Sequence, residues 1–214
     1  MSHDERIRPS AVDLCGAGTS AAIAADAGAV QSHLEYVLDE HAGGLEADQR
    51  RVLEAAWRNS RRIRKFAEDL RDLALAESGV LTLALGECDL AAMLGEAVER
   101  SWPVAAATRK TFDVEVEGRP KPVGDPVQLA RAVTALVEHA AEHANAGTAI
   151  AVRASKTGLT LDFETAVSPL DDPLGLALAS AVAKLHGGRL FVESAHGRTT
   201  LTLTFGPAHA ARAA

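Results

Sequence analysis

Two stretches of this chain space their apolar residues in alternating steps of four and three, and that spacing permits little besides packed helices. The first runs over residues 20 to 41, through Ile23, Ala27, Val30, Leu34 and Val37 to His41. Residues 42 to 44, Ala-Gly-Gly, break it. Leu45 opens the second, which continues through Val52, Ala56, Asn59, Ile63, Phe66, Leu70 and Leu73 and stops at Ser78-Gly79. Glycine just past a helix is the usual stop signal. Two such helices on a short loop form a helical hairpin, and one hairpin cannot bury both seams well. Two hairpins pairing into a four-helix bundle is the economical solution, so the spacing predicts a homodimer. Asn59 stands on the seam either as the polar residue that fixes register or as a tolerated, partly exposed side chain.

From residue 80 the period changes. Leu81, Leu83 and Leu85 alternate as in a strand, and Asp89 caps a helix reaching about Val104. Phe112, Val114 and Val116 read as a strand, and Asp125-Pro126 starts a helix through about His143. Strands follow at Ala149–Arg153 and Leu159–Glu164, then a helix from Leu174 and two closing strands. Interleaved helices and strands predict a mixed sheet with helices on one face, so the expected class is α+β. The expected divisions are an N-terminal segment, 1–19, a helical hairpin, 20–79, an α/β sandwich, 80–207, and a tail, 208–214.

Composition removes several functions. The formal net charge of −7 opposes non-specific binding to nucleic acid or to an anionic membrane, both of which need a positive field. The most apolar early stretch, Leu14 to Val30, is rich in Ala and Gly and carries Asp26, a poor membrane span. With a polar N-terminus and only Cys15 and Cys88 as thiols, the expected location is the cytoplasm. Each cysteine reads as a small buried hydrophobe.

Four segments, in order, carry a resemblance. They are Gly43-Gly-Leu-Glu-Ala-Asp-Gln-Arg-Arg51, then Asp72-Leu-Ala-Leu-Ala-Glu-Ser-Gly79, then Gly124-Asp125-Pro126 with Leu129. The fourth is Leu174-Gly175-Leu176-Ala177-Leu178-Ala179 leading to Leu185-His186-Gly187-Gly188 and strands Arg189–Ser194 and Thr199–Phe205. Over about residues 20 to 207 the chain resembles the cytoplasmic core of bacterial sensor histidine kinases. The resemblance implies a dimerisation hairpin followed by an ATPase domain of the Bergerat type.

It also implies where the chemistry should sit, and this chain departs from the pattern there. The position of the phosphoacceptor histidine is Ala21, and the acidic neighbour that would help proton transfer is Ala22. Ala135 and His139 stand where asparagines for Mg²⁺ and phosphate are expected, and imidazole is a poor ligand for Mg²⁺. His143 matches a histidine common in that helix. The Asp-Gly pair that reads adenine has no counterpart in Leu161-Asp162-Phe163-Glu164-Thr165-Ala166, although Asp162 or Glu164 can be misaligned remnants. The glycine-rich lid is reduced to Val167–Pro173, where Asp171 and Asp172 oppose bound phosphate. Gly175, Gly187 and Gly188 then read as packing and turn residues rather than a phosphate cradle. No nucleotide cofactor and no catalytic residue is expected. The chain reads as a pseudokinase acting through proteins of two-component signalling, with a receiver domain or a sensor kinase as partner.

Three other features compete. His33, in Ser32-His33-Leu34-Glu35, is the one candidate for a histidine phosphotransferase; it lies about 120° around the helix from Ala21. His139-Ala-Ala-Glu142-His143 has the spacing of an inverted zinc-protease helix, without an evident third ligand. Arg58, Arg61, Arg62, Arg64 and Lys65, beside Trp57, form a positive patch on an acidic chain. The patch is either a docking surface for an acidic partner or a solvated face balanced by Glu68, Asp69 and Asp72.

Overall fold

The computed structural model describes residues 11–39, 41, 43–77, 83–166 and 174–206. The chain divides into two compact units, Met1–Leu81 and Thr82–Ala214.

The first unit is a hairpin of α1 (Ala11–Leu38) and α2 (Ala47–Glu77). Helix α1 starts earlier than the spacing suggests and ends before His41. Arg50 donates to the Leu38 carbonyl at 3.2 Å, satisfying one acceptor that the helix end leaves open. Helix α2 starts two residues late because Gln49 reaches back to accept from the Glu46 N–H at 3.0 Å, half of a capping box. Gly43, at φ 114°, makes the intervening turn that side chains resist. Leu81 and Ser78-Gly79, the expected stop, lie outside the described residues.

The helices do not meet along the predicted seam. Ser20, Ala27 and Gln31 of α1 and Ser60 and Ala67 of α2 are buried, and Ser60 Oγ donates to the Ala27 carbonyl at 2.6 Å. Of the predicted seam, Ala27 is buried and Leu34 half-buried, but Val52 is 66% and Phe66 57% exposed, and Ile23, Val30, Ile63 and Leu70 are exposed too. Small residues let the backbones approach, so the helices close on a face about a quarter turn away from the large apolar side chains. That offset has the same sense on both helices viewed from N- to C-terminus. Because they run antiparallel, the two exposed stripes lie on the same side of the hairpin and make one apolar face. The seam that the sequence marks therefore faces outward from a single hairpin.

In the second unit a mixed five-stranded sheet carries the core. Its order is β2 (Thr111–Val116), β4 (Ala149–Ser155), β5 (Gly158–Glu164), β7 (Arg198–Thr204), β6 (Arg189–Ala195). Only β2 and β4 are parallel. Strand alternation puts Ile150, Val152, Leu159, Leu161, Phe163 and Leu201 on one face, all fully buried. Helices α3 (Leu90–Ala107), α4 (Pro126–His143) and α5 (Leu174–Leu185) cover that face. A two-residue ladder, β1 (Gly86–Glu87) with β3 (Val123–Gly124), lies apart from the sheet. Asp89 caps α3 by accepting from Ala92 N–H at 3.1 Å. The strand expected over Leu81–Leu85 does not form in its described part: the Ala84 N–H goes to Asp125 Oδ2 at 2.9 Å, so a side chain replaces a ladder partner.

Candidate functional site

Helix α4 is where the kinase resemblance places the chemistry, and three side chains fix it. Asp125 Oδ1 accepts from the Val127 and Gln128 N–H groups at 3.0 and 3.1 Å, capping the helix start. His186, buried after α5, accepts the Asp125 N–H on Nε2 at 2.9 Å and donates from Nδ1 to the Val182 carbonyl at 2.7 Å. A carbonyl can only accept, so Nδ1 carries the proton and both nitrogens are committed. Lys110 closes the other end, donating to the Ala141 and Glu142 carbonyls at 2.7 and 3.3 Å, with favourable charge for a helix C-terminus. Burial pushes the Lys110 pKa down, and the nearby Glu142 only partly offsets this.

On the helix so held, Ala135 and His139 are both buried. The His139 and His143 rings stack at 4.2 Å with 20° between planes, and His143 Nδ1 donates to the His139 carbonyl at 2.9 Å. Stacked rings do not converge on a common point, Glu142 is exposed, and no group of three or more His, Cys, Asp or Glu among the described residues could hold a metal ion. Ala135 offers a methyl group and His139 an imidazole, and neither is the hard oxygen donor that Mg²⁺ takes. These residues do not fit an Mg²⁺–nucleotide complex.

Gly175 faces Ala135 from α5. A methyl group added to Gly175 would lie 3.6 Å from the Ala135 carbonyl oxygen and 3.8 Å from its Cβ, ordinary contact distances, so packing does not require glycine there as expected. Gly187 and Gly188 differ. Gly187 has φ 69°, and a Cβ on Gly188 would lie 1.9 Å from the Thr204 carbonyl oxygen.

The candidate adenine residues lie on the far side of the sheet. Leu159, Leu161 and Phe163 point to the helices, so Asp162 points away, accepting from Thr200 Oγ1 at 2.8 Å and bonding to Arg198. Burial raises the Asp162 pKa, but the hydrogen bonds from Arg198 and Thr200 and the charges of Arg198 and Arg153 outweigh it and hold the carboxyl below its usual value. Glu164 is exposed, 3.7 Å from Arg198. The end of β5 is tied by Asn145, whose N–H donates to the Glu164 carbonyl at 2.7 Å and whose Oδ1 accepts from Ala166 N–H at 3.1 Å. Sequence reasoning missed Asn145 and Lys110; an Asn two residues before the left-handed Gly147 was the available signal for the first. Residues 167–173, with Asp171 and Asp172, lie outside the described residues.

On the hairpin, Ala21 is half-buried and His33 exposed. Trp57 Nε1 donates to Glu35 at 2.9 Å across the two helices, on the side opposite the apolar face, and Arg61 lies 5.7 Å from the Trp57 ring centre. Arg58, Arg64 and Lys65 have acidic neighbours at 4.0, 3.9 and 3.1 Å, in Glu54, Glu68 and Asp69. Asp72, expected among the balancing charges, is instead buried against Arg71 at 3.2 Å. Arg62 is exposed with no ion pair among the described residues. Cys88 is buried, and desolvation raises its thiol pKa. The side chain of Cys15 lies outside the described residues. No described helix is long and apolar enough to cross a membrane.

No family model matches the chain. Among curated proteins it is 26% identical to the alginate biosynthesis sensor protein KinB of Pseudomonas aeruginosa, over 78% of this chain and 31% of that protein. It is 35% identical to the probable sensor protein PcoS of Escherichia coli, over 48% of this chain and 22% of that one. The chain thus spans less than a third of these relatives. Among solved structures it is similar to histidine kinase AdeS of Acinetobacter baumannii, with TM-score 0.58, 18% identity, and coverage of 83% of this chain and 94% of that one. Full-length ShkA, solved in complex with AMPPNP, gives TM-score 0.64 at 18% identity over 88% of this chain and 46% of that one. The fold is that of a histidine-kinase core, a helical hairpin followed by an ATPase-type α/β domain.

Proposed function

We propose that this kinase-like chain is a pseudokinase, a signalling module that works by binding other proteins rather than by moving phosphate from ATP. One observation carries the reading: α4, held at both ends, presents Ala135 and stacked His139 at the positions where the kinase resemblance expects oxygen donors. Ala21, at the acceptor position, has no group to phosphorylate. The single apolar face of the hairpin supports homodimerisation through a four-helix bundle. Trp57, Arg58, Arg61 and Lys65, on the hairpin, suit an acidic partner, and in this reading that partner is a receiver domain or a sensor kinase of two-component signalling, while Arg62, expected in the same patch, lies at the rim of the apolar face. Calorimetry with ATP and Mg²⁺ tests the central point. The expected result is no binding heat; micromolar affinity overturns the reading.

A second reading, histidine phosphotransfer, is favoured by the exposure of His33 on α1. Phosphotransfer from a phosphorylated receiver domain, lost in His33→Ala, would support it, and transfer unchanged by that substitution would remove it.

A further inference from the structure

We infer that, in the dimer proposed above, Asp26 of one copy pairs with Arg62 of the other and sets its register and its choice of partner. The inference rests on that dimer reading.

The hairpin supplies the ruler. The bond from Ser60 to the Ala27 carbonyl fixes those two residues level on antiparallel helices. On and beside the exposed face, Ile23 and Val30 are one step of seven apart along α1, and Ile63 and Ala56 are the same step apart along α2, in the opposite direction. A twofold axis parallel to the helices sets α1 of one copy antiparallel to α2 of the other, in the sense the two already run within one hairpin. Counted from the Ala27–Ser60 level, two layers form: Ile23 then meets the second copy's Ile63 and Val30 its Ala56, each within one residue, about 1.5 Å, of level. Equal step and opposite direction make the face complementary to itself, which is what an isologous contact demands.

The flanking charges fall in register with these layers. Asp26 lies three residues after Ile23 and four before Val30; Arg62 lies six after Ala56 and one before Ile63, within one residue of level with Asp26. Both therefore sit between the same two layers, one on each helix, at the rim of the face. Both are exposed, and neither has an ion pair among the described residues. Neither has a counter-charge within helical reach. The residues three and four away from Asp26 are Ala22, Ile23, Ala29 and Val30, and those around Arg62 are Arg58, Asn59, Lys65 and Phe66. A second copy supplies each with the other, twice by symmetry. Rim charges of this kind choose partner and orientation in helical bundles.

Sedimentation equilibrium of the intact chain tests this with Asp26→Arg and Arg62→Asp. Each substitution turns two attractions into two repulsions, so each variant alone should self-associate roughly tenfold more weakly than wild type, an effect that fades in high salt. Mixed, the two variants should pair with each other in preference to themselves, and the double variant should regain wild-type association. Variants that self-associate like wild type, or that mix without preference, overturn the inference while leaving the dimer intact. A wild-type chain that stays monomeric overturns the dimer reading and this inference with it.

Discussion

His186→Ala should cost the α/β unit about 2–5 kcal/mol, and the sum can be built from its contacts. The imidazole accepts the Asp125 N–H at 2.9 Å and donates to the Val182 carbonyl at 2.7 Å. The Asp125 N–H belongs to a cap residue, so no helical carbonyl is available to it, and leaving it buried without a partner costs about 1–3 kcal/mol. The Val182 carbonyl loses less, because it also accepts from the His186 backbone N–H at 3.2 Å. The ring itself is packed against Gly124, where a Cβ would come within 2.7 Å of His186 Cδ2. Removing it leaves a void worth about 1–2 kcal/mol more. With a urea slope of about 2 kcal/mol/M the unfolding midpoint should fall by roughly 1–2.5 M. Trp102, in α3, reports on this unit, and a Trp57→Phe background removes the signal of the hairpin. A loss below about 1 kcal/mol would mean that the imidazole is not what joins the start of α4 to the end of α5.

The glycines of the last helix and turn should separate on the same assay. Gly188→Ala, with its Cβ against the Thr204 carbonyl, should lose more than about 2 kcal/mol. Gly175→Ala, which has room, should be neutral or gain up to about 1 kcal/mol of helix propensity; a large loss there would contradict the packing seen. Asp162 contributes through a depressed folded-state pKa, so its stabilisation is present at neutral pH and is lost as acid protonates it. Asp162→Asn should therefore cost up to about 1 kcal/mol at pH 7, and the gap to wild type should close below about pH 4; a gap that persists at pH 2 would contradict that account.

Much of the architecture is legible in local spacing. Alternating fours and threes mark both helices of the hairpin, Asp89 and Asp125 announce the caps of α3 and α4, and strict alternation in Leu159, Leu161 and Phe163 gives the buried face of β5. These signals are readable because a cap, a helix stripe and a strand face each depend on residues within a few positions of one another. Leu83 and Leu85 alternate just as well and form no strand, because the Ala84 N–H is taken by Asp125, forty-one residues away.

Residue identity alone puts Ala135 and His139, neither an oxygen donor, on α4, since a position on a capped helix can be read without coordinates. The sequence also marks the apolar stripes of the hairpin. Packing set which way those stripes face: small residues such as Ala27 and Ser60 let the two backbones close, and that turned Ile23, Val30, Ile63 and Phe66 outward. Only the assembled fold placed Asp162 on the face of the sheet away from the helices, and only it joined His186 to Asp125 and Lys110 to the end of α4. Those contacts bridge distant parts of the chain, so no local pattern encodes them. They exist because a buried N–H, carbonyl or charge must find a partner wherever the fold supplies one.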